Sequence, residues 1–346
     1  MPATTNRRVL LRSRPAGEPR LTDFEIVDAP LPSAGDGEIL CRTIWLSLDP
    51  YMRGRMNDVK SYATPVELGQ VMVGGTVSEV VESRHADFRA GDLVLGYGGW
   101  QSYHVARACG SPGPFGPLKL DPAVAPISTA LGVLGMPGMT AYVGLLDLGQ
   151  PRPGETVAVS AAAGAVGSIV GQLAKIKGCR AVGIAGSQAK CDYVVKELGF
   201  DACVSYRSPD LFAVLKEACP KGIDVYFENV GGDVLRTVLR LVNPFARIPL
   251  CGLVSQYNAT ELPPGPNMGP VLVNRVTIRG FIVSDHVDRL PAFLADTAGW
   301  LRGGRLRYRE DVVEGLEQAP RAFIGLLRGE NLGKMLVKVG ADPTRR

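Results

Sequence analysis

The segment Glu155-Thr-Val-Ala-Val-Ser-Ala-Ala-Ala-Gly-Ala-Val-Gly-Ser-Ile-Val-Gly-Gln-Leu-Ala-Lys constrains this chain more than any other. A short apolar run is followed by a turn of small residues and then by apolar residues at helical spacing, which predicts a strand, a tight turn and a helix. Gly164 and Gly167 occupy the second and third positions of a dinucleotide fingerprint, and Ala162 stands in place of the first glycine. Glycine at those positions lets backbone N–H groups approach a pyrophosphate and lets the helix pack on the sheet. A glycine turn alone is also an ordinary tight turn. Here the surrounding strand and helix supply the context that the fingerprint requires.

The rest of the chain divides around that unit. Residues 1–134 read as short strands cut by Gly and Pro, such as Gly75-Thr-Val-Ser-Glu-Val-Val and Asp92-Leu-Val-Leu-Gly-Tyr, and predict a mostly-β domain. Residues 135–304 alternate strands with helices, the rhythm of a parallel sheet covered on both faces. In residues 305–346 the elements shorten again, and Met335-Leu-Val-Lys-Val reads as a strand returning to the first domain. A chain of 346 residues suits two such domains. The Pro-rich stretch beginning at Leu262 reads as a stiff loop.

Composition excludes several classes. With 46% hydrophobic and 21% charged residues the chain reads as a soluble globular protein, and no apolar run reaches membrane-spanning length. The start is rich in arginine (Arg7, Arg8, Arg12, Arg14) but lacks a following apolar run, so it reads as a basic first strand and not as a targeting segment. A net charge of +4, with both signs interspersed, gives no stripe able to neutralise many phosphates, so nucleic acid is not expected as a partner. The seven cysteines are scattered and lie mostly in apolar surroundings, which suits reduced thiols and a cytoplasmic setting. His85, His104 and His286 are the only histidines, none at ligand spacing to a cysteine or acid, so no metal site is expected.

After the second strand, Arg180-Ala-Val-Gly-Ile-Ala, an NAD-specific fold places an acid for the ribose hydroxyls. This chain has Gly186 and Ser187 there, with Lys190 close by. An acid would repel a 2′-phosphate, whereas a hydroxyl and a cation would accept it, so NADP(H) is expected over NAD(H).

Several further segments carry a resemblance. Ser47-Leu-Asp-Pro-Tyr-Met-Arg, Gly135-Met-Pro-Gly-Met-Thr-Ala-Tyr, Phe227-Glu-Asn-Val-Gly-Gly, Cys251-Gly-Leu-Val-Ser-Gln-Tyr-Asn and Gly329-Glu-Asn-Leu-Gly-Lys together span nearly the whole chain. With the glycine turn they resemble the medium-chain dehydrogenase/reductase superfamily, in its zinc-independent prostaglandin reductase and 2-alkenal reductase branch. The resemblance implies an α/β fold with a GroES-like, mostly-β catalytic domain, a Rossmann doubly wound parallel sheet domain, and an active site in the cleft between them. It places Gly164, Ala165, Val166 and Gly167 at the pyrophosphate, Lys190 and Tyr206 near the 2′-phosphate, and Asn229 on a strand-end loop. Cys251, Gly252, Ser255, Tyr257, Phe281, Ile282, Val283 and Asn331 would line the nicotinamide end. A homodimer joining Rossmann sheets edge to edge, through a strand near Val276-Thr-Ile-Arg-Gly, is implied in the same way.

The chemistry implied is reduction of the carbon–carbon double bond of lipophilic conjugated enals or enones. Hydride arriving at the β-carbon puts negative charge on the carbonyl oxygen, so a hydrogen-bond donor aimed at that oxygen is the main requirement. Tyr257 is the first candidate and Tyr51, fixed behind Pro50, the second, although either phenol has an alternative fate as a packed aromatic. Tyr142, at the start of a helical stretch, is assigned to the core. Arg53 and Arg55, close to Tyr51, are assigned to the surface, as arginines in turns usually are, with contact to an acidic substrate tail as the alternative. The glycine turn also fits a quinone reductase, or an NADPH-binding protein without turnover, but the Asp-Pro-Tyr-Met-Arg and Gln-Tyr-Asn segments favour the alkenal branch and the two tyrosines favour catalysis.

Overall fold

The computed structural model describes residues 5–107, 117–261 and 263–345. One of the seven cysteines, Cys109, and Leu262 at the start of the Pro-rich stretch lie outside the described residues. The chain forms two compact units: Met1–Leu131 with Glu310–Asn331 and Met335–Arg346, and Gly132–Arg309 with Leu332–Lys334.

The first unit is mostly β. Strands β1 (Thr5–Leu11) and β2 (Phe24–Pro30) form an antiparallel pair. A larger sheet holds β3 (Glu38–Ser47), β4 (Thr76–Ser83), β5 (Leu93–Gly96), β6 (Tyr103–Arg107), β7 (Leu118–Lys119), β14 (Glu310–Glu314) and β15 (Lys334–Lys338). Its order is β14-β15-β3-β4-β5-β7, with β6 also paired to β3. β3 is buried along almost its whole length, and its run Ile-Leu-Cys-Arg-Thr-Ile-Trp-Leu supplies apolar side chains to both faces. A turn of helix, α1 (Met52–Arg55), follows β3, and α9 (Ala319–Leu327) brings Phe323 edge-on to both Phe24 and Trp100, whose rings stack on each other.

The second unit is a parallel sheet with helices on both faces. Its strands are β8 (Thr156–Ser160), β9 (Arg180–Ala185), β10 (Ala202–Ser205), β11 (Ile223–Phe227), β12 (Val242–Leu250) and β13 (Thr277–Gly280), in the order β10-β9-β8-β11-β12-β13. Every pair is parallel. Between or beside them run α2 (Met136–Tyr142), α3 (Gly167–Ile176), α4 (Gln188–Lys196), α5 (Leu211–Ala218), α6 (Gly232–Leu239), α7 (Gly269–Val273) and α8 (Leu290–Arg302).

The alternation of β8 explains why both faces are covered. Val157 and Val159 join Ile169, Leu173 and Phe293 in one core, while Ala158 joins Leu215 and Val238 in the other. The chain passes from β8 to β9 and β10 on one side and then returns to β11 on the other. That reversal leaves a crevice at the carboxyl ends of β8 and β11, the place where open parallel sheets bind ligands. The α/β class, a mostly-β unit plus a doubly wound parallel sheet, is the one expected from the sequence.

Tyr142 is the last residue of α2, not near its start, and the chain continues from it into a wider π-helical segment, Val143–Gly149. Its hydroxyl donates to Asp296 at 2.7 Å, which accounts for a tyrosine in the core.

Candidate active site

The glycine turn is built around Ala161. This residue, not Ala162, adopts the left-handed conformation (φ 52°) that a first glycine would otherwise take. Gly164 N donates to the Ala161 carbonyl at 2.9 Å and closes the turn. A Cβ on Gly167 would stand 2.4 Å from that carbonyl oxygen, and one on Gly164 3.1 Å from it. Backbone therefore fills the space that a side chain would need, and the N-terminus of α3 is left open for an anion. Ala165 and Val166 complete the turn, both half-buried. Gly333, from the short segment that returns to this unit, bridges to Gly164 and donates from its amide to the Ala163 carbonyl at 2.9 Å.

At the end of β9, the Ser187 hydroxyl caps α4 by accepting from the Lys190 amide at 3.3 Å. Gly186 leaves room for Tyr206, whose hydroxyl lies 3.1 Å from where a Gly186 Cβ would be. Tyr206 follows β10 directly and is exposed. Arg207, which no motif marks in the sequence, sets its guanidinium 5.8 Å from the Tyr206 ring.

Across the switch point, Asn229 donates from its amide to the Ser160 hydroxyl at 2.9 Å and from Nδ2 to the Ser160 carbonyl at 2.8 Å. The loop after β12 folds onto this one: Val254 N donates to Asn229 O, and both the amide and hydroxyl of Ser255 donate to Val230 O. Gly252 makes room for Tyr257, whose hydroxyl is 3.1 Å from the point where a Gly252 Cβ would stand. The Cys251 thiol is pushed up to about 12 by burial, which keeps it protonated and inert. After β13, Phe281 meets Phe227 edge-on at 6.3 Å, and Phe281 and Val283 pack against the core, with Ile282 between them.

These loops thus place Gly164, Ala165, Val166, Gly167, Lys190, Tyr206, Asn229, Cys251, Gly252, Ser255, Tyr257, Phe281, Ile282 and Val283 at the carboxyl ends of one parallel sheet. A glycine cradle, a capped helix start and an apolar wall of Phe281–Val283 at the ends of parallel strands offer the backbone amides and apolar surface that a dinucleotide needs. Asn331 belongs to the other unit and is buried there, next in the chain to Leu332.

Tyr51 also belongs to the first unit, at the head of α1. Its hydroxyl shares a 2.5 Å hydrogen bond with that of Tyr97, a partner not anticipated from sequence. Burial, then the neighbouring Tyr97 and Asp49, holds the Tyr51 phenol well above the ordinary tyrosine range. Asp49 is itself buried and accepts from the Ser47 hydroxyl. Arg53, expected at the surface, is buried with 2% of its area exposed. Its guanidinium donates to the Pro15 and Gly17 carbonyls and to Asn57, so it ties the loop before β2 to α1 and is not available to a substrate. Arg55 is half-buried.

The histidines sit apart in different surroundings. His85 lies edge-on to Phe88, His104 is buried in β6, and His286 lies against Phe281. Among the described residues, no group of three or more His, Cys, Asp or Glu side chains is placed to hold a metal ion.

Comparison with known proteins agrees with this geometry. A family described as the N-terminal domain of oxidoreductase matches residues 7–111, and one described as zinc-binding dehydrogenase matches residues 165–298. The NADPH-dependent curcumin reductase of Escherichia coli (strain K12) is 51% identical over 343 residues, covering 97% of this chain and 98% of that protein. The NADP(+)-dependent 2-alkenal reductase of Nicotiana tabacum is 39% identical over 343 residues, covering 98% of each. The crystal structure of CurA from Vibrio vulnificus in complex with NADPH superposes with a TM-score of 0.92 at 50% identity, covering 97% of this chain and 100% of that one. With both units matched and likeness running from end to end, the chain is an oxidoreductase of the medium-chain dehydrogenase/reductase superfamily, in the branch of the 2-alkenal and prostaglandin reductases.

Proposed function

We propose that this protein reduces the α,β carbon–carbon double bond of lipophilic conjugated enals or enones, using NADPH bound across the strand ends of its parallel sheet. The observation that carries the reading is the glycine cradle between β8 and α3, joined at the same sheet end by the loops of Asn229, Cys251–Tyr257 and Phe281–Val283. Its likeness to an NADPH complex and to relatives named for curcumin and 2-alkenal reduction supports it.

Gly164–Gly167 would hold the pyrophosphate, and Lys190, Tyr206 and Arg207 the 2′-phosphate. Asn229, Cys251, Gly252, Ser255, Phe281, Ile282, Val283 and Asn331 would enclose the nicotinamide. Bound NADPH supplies a hydride to the β-carbon of the substrate. Tyr257 is the first candidate donor to the carbonyl oxygen and Tyr51 the second; charge develops there only as the hydride arrives, so such a donor lowers the barrier by about a few kcal/mol. A phenol with a raised pKa stays protonated at neutral pH and so remains a donor. Tyr97 fixes the direction of the Tyr51 hydroxyl. The α-carbon takes its proton from a tyrosine or from solvent, which completes the addition of two electrons and two protons' worth of hydrogen. The reaction is proposed to need no zinc, since among the described residues no three His, Cys, Asp or Glu side chains are gathered to hold a metal ion, and Cys41, opposite His104, makes a pair at most. Free thiols at Cys41, Cys179, Cys191, Cys203, Cys219 and Cys251 fit work in the reducing cytoplasm.

Loss of NADPH absorbance with trans-2-nonenal, run beside NADH and a simple quinone, tests the proposal. The expected result is a saturated aldehyde product, a preference for NADPH and a large fall in kcat for Tyr257→Phe. Turnover of the quinone alone would overturn the enone reading.

A further inference from the structure

Glu228 closes β11 and is completely buried. One of its oxygens, Oε1, accepts four hydrogen bonds: from the Ser160 hydroxyl and the Tyr226 hydroxyl, each at 3.0 Å, and from the amides of Val230 at 2.6 Å and Gly231 at 3.0 Å. The other, Oε2, is buried with no hydrogen-bond partner. The backbone of the same residue accepts from Cys251 N and Gly252 N and donates to Pro249 O. One residue therefore fastens the carboxyl ends of β8, β11 and β12, on both sides of the switch point.

Such an arrangement is a poor device for stability alone. A buried carboxyl costs several kcal/mol to desolvate, and packed apolar residues of equal volume do as well or better. What the carboxyl does supply is direction. The loop it holds runs through Gly231 (φ 78°) and Gly232 (φ 56°), a left-handed stretch whose amides need a fixed acceptor to converge. Asn229, next in the chain, is locked by the same Ser160 that bonds Glu228.

We infer that Glu228 is a positioning residue for cofactor binding: with Ser160 it sets the loop 229–232, and through it Asn229 and the 251–255 loop, in the conformation that receives the nicotinamide end. Its own burial excludes it from touching the substrate. The inference rests on the cofactor reading above.

The test compares Glu228→Gln, Ser160→Ala, the double variant, and Val238→Ala, a buried core change on α6 that serves as a control for lost stability. NADPH affinity is read by fluorescence without substrate, well below each melting temperature, together with hydrogen exchange of the 229–232 amides. The expected result is NADPH binding weaker by about tenfold in each single variant, the equivalent of one hydrogen bond. The double variant should be little weaker than the weaker-binding single, because the two side chains act through one network. Exchange should rise at residues 229–232, while Val238→Ala stays within about twofold of wild type at a similar drop in melting temperature. A Glu228→Gln protein that binds like wild type, or no worse than Val238→Ala, overturns the inference alone. A wild-type chain that does not bind NADPH overturns the cofactor reading and this inference with it.

Discussion

Gly167 is required by a neighbour's backbone, and so the consequence of changing it can be worked out. A methyl group there would press on the Ala161 carbonyl at 2.4 Å, and that carbonyl is held by its hydrogen bond to Gly164 N. Gly167→Ala is expected to cost about 2–3 kcal/mol and to weaken NADPH binding. Gly164→Ala, 3.1 Å from the same atom, should cost less than about 1 kcal/mol. Urea denaturation of the two variants checks the order, and equal losses would refute it. The tyrosine pair gives a second prediction at this scale. With Tyr51 as the proposed donor, and since Tyr97 helps to raise its pKa, Tyr97→Phe should bring the alkaline fall in kcat to lower pH, whereas wild type should hold its rate through the ordinary tyrosine range. A pH–rate profile with an unmoved alkaline limb would remove Tyr97 from the mechanism. At neutral pH the variant should lose only a few-fold in kcat, because Tyr51 remains protonated and loses only its orientation.

Strand β6 carries a titration that belongs to the element and not to the site. His104, 5% exposed in β6 with Nδ1 lacking a hydrogen-bond partner, has its pKa lowered by burial to about 4. The folded state thus refuses a proton that the unfolded chain accepts near pH 6.5. Stability is complete above that value and falls as pH drops, by about 3 kcal/mol, until it levels off near the folded pKa. His104→Gln should flatten this slope between pH 6.5 and 4 in urea titrations, and an unchanged slope would assign the acid sensitivity elsewhere. Sequence legibility also differs by element. Strands with apolar alternation, and the β8–α3 unit above all, could be read because periodicity and glycine are local signals. Arg53 was misread because the carbonyls that bury it come from residues 15 and 17, far away in the chain. Ala161 was passed over for Ala162 because non-glycine residues seldom adopt a left-handed turn and small residues on either side look alike. Glu228 is visible in sequence only within Phe227-Glu-Asn-Val-Gly-Gly, because its bond to Ser160 forms only in the fold, and Tyr97 leaves no local signal of its pairing with Tyr51.

For the molecule as a whole, the parallel sheet ends in an edge that one chain leaves uncovered. Among the described residues β13 is the last strand, and its ladder is filled only on the β12 side. Beside it lies an apolar group: Leu272 is 80% exposed, Val273 68% and Phe245 65%, with Arg275 stacked over the Phe245 ring at 4.5 Å. An exposed edge next to large apolar side chains invites pairing, and a second copy of the same strand related by a two-fold axis satisfies both the ladder and the apolar group. The homodimer that the resemblance implies would use this edge, joining β13 and α7 of two copies, and it can be tested. Light scattering behind a sizing column should give twice the 36.8 kDa of one chain. Leu272→Asp, which places a charge at the centre of the apolar group, should shift the mass toward a single chain while leaving the melting of the mostly-β unit unchanged, since Leu272 is no part of that unit's core. A wild-type protein that runs as one chain at micromolar concentration would show that the edge is guarded in some other way, and a Leu272→Asp dimer would place the contact on another surface.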